Sequence, residues 1–292
     1  MAETKSDAKR YAGVVPPMLT PFTPGGAIDE PAVGRIVERL LSGGVSGIFP
    51  LGTTGESASI ANADKRKLVA ATVKAVNGRA MNYAGISGNC FSESVELAKA
   101  FADDGVDAVV AHCPSYFGLT DADLDAYFHR LADALPLPLV LYNIPVTTHH
   151  NLPLDVVGKL IRHEKVVAIK DSSGDRDHLR ALLELTGGRG GFPVLLGNSS
   201  CYASALRHGA VGLVPGGAHL VAKEYVAMLD AAMRQDWPEV DRLQAVTDAA
   251  TSAFTQGRTI GEGLARLKAL LEKQGICGRT MLPPLRDNTE PA

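Results

Sequence analysis

Short apolar runs rich in β-branched residues alternate with segments of helical periodicity along most of the chain, and the alternation repeats eight times. Strands that are buried on both faces of a sheet appear as continuous apolar runs, and consecutive parallel strands require a crossover, usually a helix. The alternation therefore predicts one parallel sheet with right-handed crossovers. The predicted strands lie at 13–20, 46–51, 81–86, 107–113, 138–144, 166–170, 192–197 and 210–215.

The segments between these runs carry sequence signals for the beginnings and ends of helices. Asp29 with Pro31 opens a helix that Gly43 ends, and Thr120 with Asp123 resembles a capping box before an apolar helical stripe. Further helices are predicted at 153–162, 175–185, 220–234, 236–249 and 260–274.

Eight strand–helix units match the (β/α)8 or TIM barrel, which usually takes about 250 residues. We therefore predict an α/β protein in which residues 1–235 form the barrel and residues 236–292 form a C-terminal helical extension. The structural alternative is a doubly wound sheet, whose first unit often carries G-x-G-x-x-G. The first unit here lacks that motif, and no linker divides the sequence into two halves, which favours the barrel.

Charge and cysteine usage argue against several classes of protein. The net charge of −3 and the pI near 6.2 offer no basic field to nucleic acid. Four widely separated cysteines show no paired spacing for a zinc site or a disulfide framework. No apolar run reaches the length of about 18 residues that would span a membrane, and residues 1–10 form a polar leader that we expect to fray. These features predict a cytoplasmic protein without nucleic-acid or membrane partners.

Lys170 ends the sixth predicted strand and is the first candidate for chemistry. Active sites of TIM barrels lie where the strands end. Burial of a lysine against apolar walls favours its neutral amine, which is the nucleophile that forms a Schiff base with a carbonyl compound. The alternative is a lysine that reaches solvent or pairs with Asp171 or Asp175.

Hydroxyl groups follow other predicted strands. The loop after the second strand carries Thr53 and Thr54 between two glycines, an arrangement that suits a carboxylate, although a polar turn is an equal alternative. Tyr142 lies at the end of the fifth strand, and Tyr116 follows the fourth. A tyrosine in a partly dry site is a credible proton carrier, but it is more often a packing residue.

Four motifs in this order resemble the dihydrodipicolinate synthase and N-acetylneuraminate lyase superfamily of class I aldolases. They are Gly52-Thr53-Thr54-Gly55-Glu56, Tyr116 after Pro114, Tyr142-Asn143-Ile144-Pro145 and Ile169-Lys170-Asp171. The resemblance covers residues 11–285. It implies a TIM barrel in which a lysine at the end of the sixth strand forms an imine with a 2-oxo acid, usually pyruvate. The chemistry that the resemblance implies requires no metal and no organic cofactor.

The resemblance also implies roles for individual residues. Lys170 is the Schiff-base nucleophile, and Tyr142 moves the proton during imine formation and carbon–carbon cleavage or formation. Thr53 and Thr54 hold the substrate carboxylate, and Thr53 also bonds to the tyrosines. Tyr116 resembles the tyrosine that family members lend to a neighbouring subunit across a tight dimer interface. A homo-oligomer, a dimer or a homotetramer, is therefore expected.

The second substrate is predicted from the departures from the family pattern. Dihydrodipicolinate synthases carry an arginine where this chain has Thr147, and sialic acid lyases carry acidic residues where this chain has Asn198 and Ser199. Gly197 and Leu213 match positions that line the pyruvate pocket. These features favour a Schiff-base aldolase or lyase with pyruvate as product or donor and an aldehyde as partner. It would cleave or form a 2-keto-3-deoxy sugar acid or 4-hydroxy-2-oxoglutarate. The alternatives are a 4-hydroxy-tetrahydrodipicolinate synthase, a 2-oxo acid dehydratase, or a non-catalytic sensor of a 2-oxo acid.

His149 and His150 are adjacent, which raises the question of a metal site. Adjacent side chains on an extended segment point to opposite faces, and no cluster of Asp, Glu or Cys accompanies the pair. We therefore expect an extended segment that holds no metal ion. His112, near the end of the fourth strand, is expected to be a satisfied core or rim histidine.

Overall fold

The computed structural model describes residues 8–287 and contains eight parallel strands. Neighbours follow the order β1-β8-β7-β6-β5-β4-β3-β2, and a parallel bridge between Pro17 and Phe49 brings the first and second units together, so that the barrel is nearly closed. The predicted (β/α)8 fold is confirmed. The strands are β1 Gly13–Val14, β2 Gly47–Ile48, β3 Met81–Gly85, β4 Ala108–His112, β5 Leu139–Asn143, β6 Val166–Asp171, β7 Val194–Leu196 and β8 Gly212–Leu213.

Each predicted run coincides with one strand. Most strands are shorter than their runs, but β6 extends one residue further, to Asp171. The largest difference is β1, which ends at Val14 although the apolar run continues to residue 20. Pro16 and Pro17 follow β1 after Val15, and proline has no backbone N–H to donate to a ladder. Pro50 limits β2 for the same reason.

Helices cover the outside of the barrel, and the caps that the sequence suggested are present. Asp29 accepts a hydrogen bond from the backbone of Ala32, and Thr120 and Asp123 form the reciprocal capping box. The helices of the barrel are α1 Glu30–Leu41, α2 Asn62–Val76, α3 Phe91–Asp104, α4 Asp121–Ala134, α5 Pro145–Thr148, α6 Leu154–Leu160, α7 Arg176–Leu185, α8 Tyr202–Arg207 and α9 Ala218–Met233. The sequence did not indicate the short helices α5 and α8.

Two further helices, α10 Trp237–Thr255 and α11 Ile260–Lys273, follow the barrel. Helix α10 extends six residues beyond its predicted end because Phe254 continues its buried face. Leu264, Leu267 and Leu271 of α11 are buried in the same apolar core as the barrel helices. The boundary between residues 235 and 236 remains our proposed division of the chain. The polar leader lies largely on residues 1–7, outside the described residues.

Side chains of the strands alternate between two layers of the core. One layer lies between sheet and helices, and the other fills the interior of the barrel. The interior layer includes Phe49, Tyr83, Val110, Val140, Tyr142, Ala168, Leu195 and Val214. Because the strand period is two residues, Lys170 shares the inward face of β6 with Ala168, whereas Asp171 faces the helices.

Within residues 8–287, no helix combines the length and the apolar character needed to cross a lipid bilayer.

Candidate active site

Lys170 lies near the C-terminal end of β6, and only 4% of it is exposed. Its backbone pairs with Tyr142 on β5 and with Leu195 on β7. Its Nζ lies 3.7 Å from the ring centroid of Tyr142 and 5.2 Å from that of Phe49. The amine is thus enclosed by aromatic walls inside the barrel mouth, and the alternative of a solvent-exposed lysine is wrong.

Tyr142 is buried beside this amine, and its hydroxyl lies within hydrogen-bonding reach of Thr53, Lys170 and Ser172. Burial raises the pKa of the Tyr142 phenol, but the positive charge of Lys170 and the hydrogen bonds of the three side chains outweigh it. The pKa is therefore lowered from its ordinary value. A phenol with a lowered pKa gives up and regains a proton more readily near neutral pH.

Thr53 and Thr54 lie in a tight turn after β2. The Gly55 N–H donates to the Gly52 carbonyl at 3.0 Å, and the Glu56 N–H donates to the Thr53 carbonyl at 3.1 Å. A Cβ added at Gly55 would lie 3.0 Å from the Met18 carbonyl oxygen and 3.1 Å from the Leu51 backbone nitrogen, so a side chain there would have to displace the neighbouring backbone slightly. The turn directs the Thr53 hydroxyl toward Tyr142 and places Thr54 near the loop after β8.

Ser172 is a further hydroxyl at this site, and our sequence reasoning did not select it. A Cβ added at Gly197 would lie 2.0 Å from Ser172 Oγ and 2.8 Å from Lys170 Cε. Gly197 therefore leaves the space that the serine hydroxyl and the lysine side chain occupy. The period of the strand could have indicated Ser172, because it follows Lys170 by two residues and continues the same face.

Asn198 and Ser199 form part of the rim above β7. Asn198 Oδ1 accepts hydrogen bonds from the backbone N–H of Ser200 at 3.1 Å and from its hydroxyl at 2.9 Å. The Asn198 amide nitrogen lies against Gly174 of the loop after β6, and the Ser199 carbonyl accepts a hydrogen bond from Gln244 of α10. These two residues join neighbouring loops at the same end of the barrel as Lys170.

Leu213 occupies a different place from the rest of the predicted pocket. It lies in β8 and is fully buried, but its side chain belongs to the layer between sheet and helices, whereas Val214 faces the interior. The Leu213 carbonyl accepts a hydrogen bond from the backbone of Val15 at 2.8 Å. Leu213 therefore directs its side chain away from the barrel interior.

Tyr116 is 78% exposed and is not brought into the site by this chain. It lies in the loop after β4 beside a second exposed aromatic side chain, Phe117, whose ring centroid is 5.1 Å from that of Tyr116. Asn89 Oδ1 accepts the Tyr116 N–H at 3.3 Å, and the His150 ring bonds to the Phe117 carbonyl at 2.9 Å, so the loop is tethered. A tethered and exposed aromatic pair is typical of a surface that another protein covers.

A buried polar network lies behind the strand ends that carry Tyr142 and Lys170. The Asp171 carboxylate accepts hydrogen bonds from Asn143 at 2.8 Å and from the hydroxyl of Ser173 at 2.8 Å. Asn143 Oδ1 accepts the N–H of Leu152 at 3.0 Å. The network connects β5, β6 and their loops, and it therefore restricts the relative positions of the phenol and the amine.

The histidines near the barrel mouth have local partners. The His112 ring bonds through Nδ1 to the Cys113 carbonyl at 2.8 Å, and burial lowers the pKa of His112, in accordance with its predicted place as a satisfied histidine. His149 has φ of 61° at the end of α5, so the prediction of an extended segment at 149–150 is wrong. Pro145 begins a helical turn there instead. Within residues 8–287, no group of three His, Cys, Asp or Glu side chains is arranged to hold a metal ion.

Comparison with known proteins gives one consistent result. The dihydrodipicolinate synthetase family matches residues 10–291. The chain is 33% identical over 233 residues to the 4-hydroxy-tetrahydrodipicolinate synthase of Methanosarcina mazei, covering 80% of this chain and 79% of the relative. The structure resembles dihydrodipicolinate synthase from Bacteroides thetaiotaomicron with a TM-score of 0.89 and 33% identity, covering 95% and 93% of the two chains.

A second solved structure adds a ligand. YagE, an Escherichia coli K12 prophage protein of the dihydrodipicolinic acid synthase family, was crystallised in complex with pyruvate. Its TM-score to this chain is 0.90 at 25% identity, with 96% of this chain and 94% of YagE covered.

Proposed function

The chain belongs to the dihydrodipicolinate synthetase family, and on this premise we propose that it is a pyruvate-dependent lyase whose Schiff base forms on Lys170. The observation that supports the proposal most directly is the enclosed amine 3.7 Å from the Tyr142 ring centroid at the carboxyl ends of parallel strands. The Tyr142 hydroxyl is within hydrogen-bonding reach of this amine, and a primary amine and a phenol are the two groups that imine chemistry needs.

The reaction proceeds through covalent catalysis. The neutral amine of Lys170 attacks the 2-oxo carbon, Tyr142 supplies a proton to the resulting hydroxyl, and water leaves as the imine forms. The protonated imine accepts the electron pair of the breaking carbon–carbon bond and becomes an enamine, while a base removes the proton from the substrate hydroxyl and an aldehyde leaves. Protonation of the enamine and hydrolysis of the imine then release pyruvate and regenerate Lys170.

The remaining site residues bind and orient the substrate. Thr53 and Thr54 hold the carboxylate, with the Thr53 hydroxyl also bonded to Tyr142 for the proton transfer. Gly197 leaves room for the Ser172 hydroxyl and the Lys170 side chain, and thus for the position from which Lys170 reaches the substrate. The protein needs no metal and no organic cofactor for these steps, because the imine itself is the electron sink.

We assign Tyr116 to the site of a second copy of the chain. Its side chain is 78% exposed and lies beside exposed Phe117, as an interface residue would before assembly. A homodimer that buries this pair would bring Tyr116 to the neighbouring Tyr142, and two such dimers would give the expected tetramer.

The proposed substrates are 2-keto-3-deoxy sugar acids and 4-hydroxy-2-oxoglutarate, which yield pyruvate and an aldehyde. Neutral hydrogen-bonding groups at the rim, Asn198 and Ser199, suit hydroxyl groups of such a substrate. Thr147 occupies the position of the arginine that binds a second carboxylate in the synthases, and its hydroxyl bonds to the Ile144 carbonyl at 3.3 Å. A second charged carboxylate therefore has no guanidinium partner at this position.

The names of the relatives favour a second candidate, condensation of pyruvate as in 4-hydroxy-tetrahydrodipicolinate synthase. A dehydratase would use the same imine but release water without carbon–carbon cleavage. A non-catalytic sensor is less consistent with a buried phenol beside the amine.

Borohydride reduction in the presence of pyruvate tests the proposal. Peptide mass analysis is expected to find the reduced adduct on Lys170, and a folded protein without an adduct would contradict every catalytic alternative. Candidate 2-oxo acids are then screened for release of pyruvate, and aldehydes for consumption of pyruvate. Release of pyruvate with an aldehyde supports the lyase, and consumption of pyruvate with the semialdehyde of aspartate supports the synthase.

A further inference from the structure

A buried ion pair connects the turn after β2 to the C-terminal extension. The carboxylate of Glu56 accepts a hydrogen bond from Nζ of Lys268 in α11, and both side chains are fully shielded from solvent. Lys268 Nζ also donates to the Thr280 carbonyl at 2.8 Å and lies 4.4 Å from the ring centroid of Phe22. The two residues are separated by 212 positions in the sequence.

The second carboxylate oxygen of Glu56 also binds the extension. It accepts the backbone N–H of Leu282 at 3.2 Å, so the Glu56 carboxylate binds both Lys268 in α11 and the segment that follows this helix. The Glu56 backbone has φ of 56°, a left-handed conformation that is unfavourable for glutamate. Such a conformation persists only where the surroundings hold the residue in place.

Glu56 ends the same turn that carries Thr53 and Thr54. Its own N–H donates to the Thr53 carbonyl at 3.1 Å, and the preceding Gly55 carbonyl accepts the Thr20 hydroxyl at 2.6 Å. A shift of Glu56 therefore moves the backbone of Thr53 directly. The Thr53 hydroxyl is one of the groups within reach of Tyr142.

We propose that Glu56 and Lys268 are positioning residues that hold the Thr53-Thr54 turn in register with Tyr142 and the substrate carboxylate. The C-terminal extension thereby supports catalysis from outside the barrel. The inference rests on the proposed roles of Thr53, Thr54 and Tyr142.

The electrostatics of the pair agree with this geometry. Burial lowers the pKa of Lys268, and the nearby charge and hydrogen bond of Glu56 act in the opposite direction. Removal of one partner leaves an uncompensated charge or donor in the core, and movement of the turn is one way to relieve it. In Glu56→Gln, the new amide NH2 would face a donor, either the Lys268 ammonium or the Leu282 N–H.

Exchange of the pyruvate methyl hydrogens for deuterium measures the effect without the second substrate. Exchange requires the imine, loss of a methyl proton to give the enamine, and return of a deuteron from the solvent. The variants are Glu56→Gln, Lys268→Met and the double variant, which leaves no stranded charge. Leu271→Ala is the matched control, because Leu271 is equally buried in α11 but makes no part of the ion pair.

All proteins are compared well below their unfolding temperatures, with the folded fraction measured by circular dichroism. We expect a higher half-saturating pyruvate concentration and a maximal exchange rate about 10- to 100-fold lower in folded Glu56→Gln and in the folded double variant. Folded Leu271→Ala is expected to keep the wild-type values despite its lower stability.

Two outcomes separate the inference from the proposed function. Wild-type half-saturation and exchange rate in the folded double variant would overturn the positioning role, because the pair would then act on stability alone. Absence of exchange and of a borohydride adduct in the wild-type protein would instead overturn the proposed function. If a single variant does not fold, the double variant still tests the positioning role.

Discussion

Two buried lysines, Lys170 and Lys268, occupy similar apolar surroundings in different parts of this protein. Lys170 is 4% exposed at the barrel mouth, and Lys268 is 0% exposed in the C-terminal extension. Each Nζ lies over an aromatic ring, at 3.7 Å from the centroid of Tyr142 and at 4.4 Å from that of Phe22. Burial against an aromatic ring therefore does not distinguish the two lysines.

The group that faces each amine does distinguish them. Lys268 faces the carboxylate of Glu56, which favours the ammonium form. Lys170 faces the phenol of Tyr142, whereas the adjacent carboxylate of Asp171 points outward and binds Asn143. The Glu56 carboxylate and the Thr280 carbonyl occupy Nζ of Lys268, whereas Nζ of Lys170 lies beside a phenol at the carboxyl ends of the strands. Lys170 is therefore the lysine arranged as a nucleophile.

The largest expected effect is loss of imine chemistry in Lys170→Met. Exchange of pyruvate hydrogens should fall by several orders of magnitude, because Lys170 supplies the amine that forms the imine. Mass analysis after borohydride reduction should find the wild-type adduct on Lys170 and none on Lys268. An adduct on Lys268, or exchange that persists in Lys170→Met, would contradict the distinction between the two lysines.

Tyr142→Phe is expected to have the next largest effect. Removal of the phenolic hydroxyl should slow exchange by about 10²- to 10⁴-fold, the usual contribution of a general acid or base. Tyr83→Phe is the matched control, because Tyr83 is a second buried phenol of the barrel interior and bonds to Met81 instead of the lysine. Equal exchange rates in the two variants would mean that the phenol facing Lys170 has no chemical role.

The free energy of unfolding should depend strongly on the Glu56–Lys268 ion pair and only weakly on Lys170. Glu56→Gln is expected to lower the free energy of unfolding by about 3–5 kcal/mol, because it leaves Lys268 buried without its charged partner. The double variant Glu56→Gln, Lys268→Met should recover most of this loss, whereas Lys170→Met should cost little. Urea unfolding is measured for the wild-type protein, Glu56→Gln, Lys268→Met, the double variant and Lys170→Met. Losses in the double variant that equal the sum of the losses in Glu56→Gln and Lys268→Met would show that the two side chains are not coupled.

The fold and Lys170 were predictable because their signals are local. Alternation of apolar runs and helical stripes indicates a parallel barrel, and a charged residue at the end of a buried run is visible within a few positions. Tyr142 was found in the same way, as the phenol at the end of the neighbouring strand. Ser172 carried an equally local signal, the two-residue period after Lys170, which our sequence reasoning did not use.

The remaining features depend on contacts between distant parts of the chain. Glu56 and Lys268 meet across 212 positions, and a lysine within a leucine stripe gives no indication of a carboxylate partner. The inward or outward direction of Leu213 depends on the register of a two-residue strand. The prediction of an extended segment at His149 was wrong, because the helical turn that Pro145 begins is too short to show periodicity.

The smallest expected effect is the titration of Tyr142. Its pKa lies below the ordinary tyrosine value, so the folded protein loses this proton at a lower pH than the unfolded chain. Folding stability from this group therefore rises with pH between the folded and unfolded pKa values, and it is lost as the pH falls through the folded value. Tyr127 and Tyr225 have higher pKa values, because burial raises the pKa of each to about 12.

Ultraviolet titration of tyrosinate checks this order of tyrosine pKa values. The titration curve of Tyr142→Phe is subtracted from that of the wild-type protein. The difference should show one phenol whose pKa lies below the ordinary tyrosine value of about 10. Lys170→Met should move that titration upward, because burial then raises the pKa without the opposing lysine charge. If the titration of Tyr142 is unchanged in Lys170→Met, the lysine charge does not reach the phenol, and the pairing on which the comparison of the two lysines depends is lost.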